Sequence, residues 1–338
     1  MGYLAKLFSK RGRKKMINLR DAGSNFWDKL NRVQRTTFIL VIMGFVLLVP
    51  YMDTFGPTSF VNTPIASFRD ALVYPVGMFV LMGLGLNIVV GKSGLLDLGY
   101  VAFFAIGAYT QAILSTTTSL NMWEIMPIGI GLAMLSGVIL GLPTLRLRGD
   151  YLAIVTLGFG EIIPQIFYNG DDIGGFNLSN GTKGITILDP IPAGIKNVGP
   201  FDFGYKFIVF VFLAFVMIFI SLRLRKGRLG RAWLAIREDE LAASMMGVPL
   251  MQTKLAAYAV GAFAGGLGGV AFATHVDGVY AERFNFTISI FLLAMVVLGG
   301  MGNVWGVILG ALLLSWMNST GLPAFGQTFN TRFETEIN

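Results

Sequence analysis

Long apolar runs separated by short polar punctuation dominate this chain. A bilayer core ~30 Å thick asks for about 20 apolar residues per spanning helix. Runs of that order, or somewhat shorter, fall at 37–51, 71–90, 100–114, 126–142, 151–168, 205–222, 255–274, 287–298 and 304–317. The pattern predicts an all-α polytopic membrane protein, a bundle of about nine transmembrane or half-spanning helices. The last two runs are parted only by Gly299-Gly300-Met301-Gly302-Asn303, and such short pieces are expected where a transporter lines its pathway with broken helices. The first run follows a long basic arm and ends in Leu48-Val49-Pro50-Tyr51-Met52-Asp53. It therefore reads as a retained helix rather than a cleaved signal.

Composition narrows the function. Hydrophobic residues make up 54% of the chain and charged residues 13%, with a mean hydropathy of +0.67. Soluble domains carry about 25% charged residues, so an ordinary soluble enzyme is excluded. The absence of cysteine and the single histidine rule out thiolate metal sites and a cysteine nucleophile, and leave zinc or histidine-base chemistry almost nothing to use. The net charge of +7 is distributed unevenly. With the N-terminus in the cytoplasm and the spans alternating, 20 of the 26 basic residues fall inside: the arm, Lys92, Arg146, Arg148, and the stretch Arg223 to Lys254. That is the bias of the positive-inside rule, so the basic charge is assigned to cytoplasmic loops and not to nucleic acid.

The chain divides into a basic cytoplasmic arm (1–35), a transmembrane domain (36–317) and a C-terminal segment (318–338). The external loop 169–204, rich in Gly, Asn, Asp and Pro, either contacts a partner or is a solvated connector. The internal segment 223–254 is more informative. Within it, Glu238-Asp239-Glu240-Leu241-Ala242-Ala243-Ser244-Met245-Met246-Gly247 reads as a short capped helix. Asp239 is the expected N-cap and the acidic cluster suits the positive helix end. Gly247 takes the left-handed closing position, and Pro249 prevents continuation. Such a peg, about 10 Å long, is unstable alone and needs a surface to sit on. One face offers Leu241, Met245 and Val248; the other offers the small Ala243 and Gly247. Docking into a cytoplasmic partner and lying on anionic headgroups both fit these residues.

The run Gly230–Ala273 containing this peg resembles the permease subunits of ABC importers, specifically the branched-chain amino acid permeases of the LivM type. Three further stretches are similar to the same family: Gly91–Tyr109 (GKSGLLDLGYVAFFAIGAY), Arg148–Glu161 (RGDYLAIVTLGFGE) and Ala294–Gly302 (AMVVLGGMG). The resemblance covers about 71–317. It implies a bacterial inner-membrane permease, one half of a translocation pathway, with a homologous second permease chain completing the other half. It also implies two ABC ATPase subunits carrying ATP and Mg, and an external solute-binding protein that delivers the substrate to the 169–204 region. No cofactor is expected on this chain. The Glu238–Gly247 segment would then be the ATPase-coupling element, although Leu241 departs from the family's Glu-Ala-Ala pattern. The basic arm lies outside the family pattern, and the family's closing helix and basic tail are not seen, which leaves the C-terminus outside and a final helix missing by this reading.

Other motifs are weaker. Gly85 to Ser93 imitates a P-loop but has five residues between its glycines where four are needed. Gly261, Gly265 and Gly269, and likewise Gly302, Gly306 and Gly310, recur every four residues and predict faces for close helix packing. Glu161 is the acidic residue deep in an apolar run, marking either a solute pathway or a satisfied structural hydrogen bond. Asn87, Asp97 and Thr156 are lesser pathway candidates, with Asp97 equally suited to capping the next helix. His275 reads as a solvated turn residue. The expected function is an ATP-driven importer permease for branched-chain or related aliphatic amino acids. Rival readings are a permease for urea or another small solute, and an ion-coupled secondary carrier, which should show more intramembrane ionisable residues or an inverted repeat.

Overall fold

The computed structural model describes residues 72–144, 150–172, 174–175, 177–186, 202–276 and 278–322. Every described residue lies within the unit Thr58–Asn338. The basic arm, the first apolar run, Arg146, Arg148 and most of the C-terminal segment lie outside the described residues.

Among the described residues ten α-helices follow in order. They are α1 (Met78–Leu86), α2 (Val101–Thr117), α3 (Met122–Thr144), α4 (Asp150–Tyr168), α5 (Asp202–Lys226), α6 (Arg228–Glu238), α7 (Glu240–Met245), α8 (Leu250–His275), α9 (Phe286–Gly299) and α10 (Val304–Trp316). The π-helical segments Leu72–Gly77 and Asn87–Lys92 extend α1 at both ends, and Met317–Gly321 extends α10. Among the described residues six stretches are long and apolar enough to cross a membrane, and α2 and α10 are shorter apolar helices. All eight apolar runs from residue 71 onward are therefore helical. Where polar residues intervene, the chain turns: Gly300 and Gly302 take φ of +92° and +87° between α9 and α10, a region open to glycine at little cost.

The core is built on α8, which packs most extensively on α2 and α3. Lipid tails are as apolar as leucine, so helices in a bilayer associate through close van der Waals fit, which small residues permit. A Cβ on Gly269 would collide with the Phe104 carbonyl oxygen and stand 2.7 Å from the Ala108 nitrogen. One on Gly265 would lie 2.7 Å from the Phe103 Cβ, and one on Gly261 would strike Val89. Gly306 and Gly310 play the same part against the α9 backbone at Gly299 and Met295. Gly302 stands apart from that pair: it precedes α10 and serves the turn.

Two ends of the bundle are distinct. At one, β1 (Ile185–Thr186) from the long loop pairs antiparallel with β2 (Gly278–Val279), near Tyr109, which stacks on Phe167 with centroids 3.9 Å apart. At the other, the ends of α1, α5 and α9 meet α6, α7 and the start of α8. Replacing Gly269 with Val should cost about 1–3 kcal/mol through overpacking, lowering the thermal midpoint of the detergent-solubilised protein. Gly131→Val, where a Cβ meets nothing within 4 Å, should leave that midpoint nearly unchanged.

Candidate coupling site and solute pathway

The segment between α5 and α8 forms two helices. The amphipathic α6 buries Gly230, Trp233 and Ile236, and the Trp233 indole N–H donates to the Thr253 carbonyl at 2.8 Å. The spacing of those three residues, every third position, was the signal for α6, masked in the sequence by the surrounding arginines. Asp239 breaks the helix and restarts it. Its extended backbone ends α6, and its Oδ1 accepts from the Leu241 and Ala242 N–H groups at 2.9 and 3.0 Å. The resulting α7 has six residues and closes on Gly247 at φ +80°.

The peg is held from one side only. Ala243 is its buried residue, and Glu240 pairs with the almost fully buried Lys254 of α8 at 2.7 Å. Leu241, Met245 and Met246 are 62%, 79% and 86% exposed. Three large apolar side chains exposed on a surface helix are costly in water. Met246 joins that face where Val248, half-buried, does not. Glu238, Asp239, Ala242 and Gly247 are also exposed around it.

Arg237, the penultimate residue of α6, ties the peg to the spans. Its guanidinium donates to the Gly91 carbonyl at the end of the π-helical Asn87–Lys92 segment, a carbonyl that a helix end leaves without an intrahelical partner. Beside it, the Asn87 Oδ1 accepts from the Gly302 N–H at 2.7 Å, and a Cβ on Gly302 would lie 3.3 Å from the Arg237 guanidinium. The α6–α7 unit, the end of α1 and the α9–α10 turn thus share one junction. Lys92 adds a second tie, donating to both the Ser221 carbonyl and its hydroxyl at 2.8 Å. Counted in the sequence as a loop charge, it is buried and spent on α5.

The four pathway candidates separate. Asn87, Asp97 and Thr156 are all fully buried. The Thr156 hydroxyl accepts from the Leu98 N–H at 3.1 Å and donates to the Ala153 carbonyl at 3.0 Å, fastening the α1–α2 linker to α4. Asp97 lies in that linker, where its Oδ1 accepts from the Gly99 N–H at 2.9 Å. It closes a turn just before α2 and does not cap the helix itself, and burial pushes its carboxyl up to about 7, opposed by the Gly99 hydrogen bond. Glu161 differs: it is exposed, midway along α4.

Comparison with known proteins now adds the family. The family model described as branched-chain amino acid transport system / permease component matches residues 69–336. The chain belongs to this family. Among its relatives, the high-affinity branched-chain amino acid transport system permease protein LivM of Escherichia coli (strain K12) is 39% identical over 303 residues, covering 83% of this chain and 67% of that one. The probable branched-chain amino acid transport permease protein LivM of Methanocaldococcus jannaschii is 30% identical over 251 residues, 68% of this chain and 70% of that one. A nucleoside ABC transporter permease protein, NupC, of Lactococcus lactis subsp. cremoris is 24% identical over 250 residues, 68% of this chain and 74% of that one. No solved structure matches the chain. This permease is a multi-pass membrane subunit of an ABC importer and a non-catalytic component.

Asp239→Ala removes the cap of a six-residue helix and should cost about 1 kcal/mol locally. Amide exchange across 240–246 should speed up roughly fivefold, a change confined to that segment, while Asp239→Asn keeps the acceptor and the protection.

Proposed function

We propose that this permease forms one half of the translocation pathway of an ATP-driven importer for branched-chain or related aliphatic amino acids, and that α7 is the element on which the ATPase subunits act. The observation that carries the reading is the peg itself. A capped helix of six residues and the Met246 that ends it present Leu241, Met245 and Met246 outward, while Glu240 and Ala243 anchor the helix inward. A segment this short gains nothing from exposing three apolar side chains unless a groove on another chain covers them. ATP and Mg belong to those partner chains.

The permease resides in the inner membrane with its N-terminus in the cytoplasm, which puts the α6–α7 end inside by the positive-inside rule. The same bundle end gathers Arg223, Arg225, Lys226, Arg228 and Arg231, in keeping with that orientation. The opposite end, with the β1–β2 pair, then receives the external solute-binding protein. A homologous second permease chain supplies the other half of the pathway. The substrate class is taken from the relatives that carry it in their names, among them the two LivM proteins.

The junction at Gly91, Arg237 and Gly302 supports the mechanism physically. Displacement of α7 moves α6, and Arg237 passes the movement to the end of α1 and to the α9–α10 turn, which glycines leave free to pivot. The double variant Leu241→Asp/Met245→Asp alters exposed positions only, so membrane insertion and thermal midpoint should match wild type. ATP-dependent leucine uptake into vesicles should fall at least tenfold, and the ATPase subunits should be lost on purification of the complex. Gly247→Val, forcing a β-branched residue to φ +80°, should give the same uptake defect. Normal uptake in both would refute the coupling role.

A further inference from the structure

The exposed faces of the spanning helices differ in chemistry, and the difference assigns them to different surroundings. On α3 the exposed positions in the middle of the span are Ile128, Leu132, Leu135, Ile139 and Leu142, spaced three and four apart on one stripe. The exposed residues within the apolar part of α5 and on α10, such as Phe212, Phe219, Trp305 and Leu309, are likewise apolar, and the exposed cations of α5 stand in its last turn. These faces suit lipid. On α4 the exposed stripe includes Glu161 and Gln165, beside Ile154 and Ile162, and the exposed Asn169 follows the helix end. This span is also the least enclosed of the six long ones described, with 22% of residues buried against 89% for Pro75–Lys92.

Glu161 sits ~15 Å into a helix that rises 1.5 Å per residue, near the midplane of a bilayer core ~30 Å thick. It makes no hydrogen bond or ion pair with a described residue. A carboxylate at that depth does not face hydrocarbon; it faces water or protein. One turn below it, a Cβ on Gly158 would meet nothing within 4 Å. One turn above it, Ile162, Gln165, Ile166 and Asn169 line a hollow of about 340 Å³. A small residue, a carboxylate and an amide thus follow one another along one open face, and the opposite face, with Leu152, Ala153 and Thr156, is packed into the bundle.

We propose that the exposed face of α4, with Glu161 at its centre, lines an aqueous solute pathway at the seam with the second permease chain, while the exposed face of α3 meets lipid. This rests on the permease reading above and specifies which surface the two membrane chains share. A water-filled seam removes the cost of the unpaired carboxylate without requiring a cationic partner inside this chain. It also explains why a transport subunit leaves a carboxylate uncovered midway along α4 and only apolar side chains on the exposed mid-span stripes of α3, α5 and α10.

The absence of cysteine makes the test direct. Ile162→Cys and Gln165→Cys on α4, and Leu135→Cys and Ile139→Cys on α3, each introduce a sole thiol in this chain. The assembled transporter in membrane vesicles is then treated with a charged, membrane-impermeant methanethiosulfonate, which reacts with thiolate and hence needs water. The α4 thiols should react at least tenfold faster than the α3 thiols, and their modification should reduce uptake at least fivefold. Glu161→Gln should reduce uptake at least tenfold at unchanged abundance and complex assembly, with Glu161→Asp recovering part of it. Labelling reads water access whichever solute is carried, so an error in the substrate class leaves this result standing. Unreactive α4 thiols, or α3 thiols reacting as fast, would overturn the proposal.

Discussion

The close approach of α8 to its neighbours is the constraint on which the rest depends. In a bilayer no hydrophobic force brings one apolar helix to another, so cohesion comes from fit. Glycines along α8 allow the backbones of α2 and α3 to come within reach of carbonyl oxygens and nitrogens that any side chain would displace. That rigid three-helix body holds the start of α8 in place, and with it Thr253 and Lys254, the acceptor for Trp233 and the partner of Glu240. The α6–α7 segment therefore stands on a platform set by glycine packing.

Around that platform, satisfaction of backbone polar groups decides the geometry. The end of α1 unwinds into π-helix, and its Gly91 carbonyl is taken by Arg237. π-Turns often sit where function needs an irregular helix. Asn87, in the same segment, satisfies the Gly302 N–H in a turn that has no helix of its own to do so. Two side chains thus complete the hydrogen bonding of two irregular segments and, in doing so, connect them to the surface helix. The buried Asn87, Lys92 and Thr156 connect segments of the bundle, whereas the exposed Glu161 makes no such tie to a described residue.

The sequence by itself determined the class of architecture, because an apolar run long enough for a bilayer has few alternatives to helix. All eight runs within the described residues became helices, and the capped peg was legible because Asp239, Gly247 and Pro249 act locally, through one helical turn at a time. Glycine periodicity on α8 announced close packing for the same reason. Tertiary structure alone decided the partners. That Asn87 would hold Gly302, Lys92 would hold Ser221 and Arg237 would reach Gly91 depends on segments 129 to 215 residues apart, and no local rule encodes such pairings. Likewise, sequence singled out Glu161 as the main pathway candidate, with Asn87, Asp97 and Thr156 as lesser ones, without showing which way any of them faces. Only the packing of whole helices determined that three of them point into the protein and one points out of it.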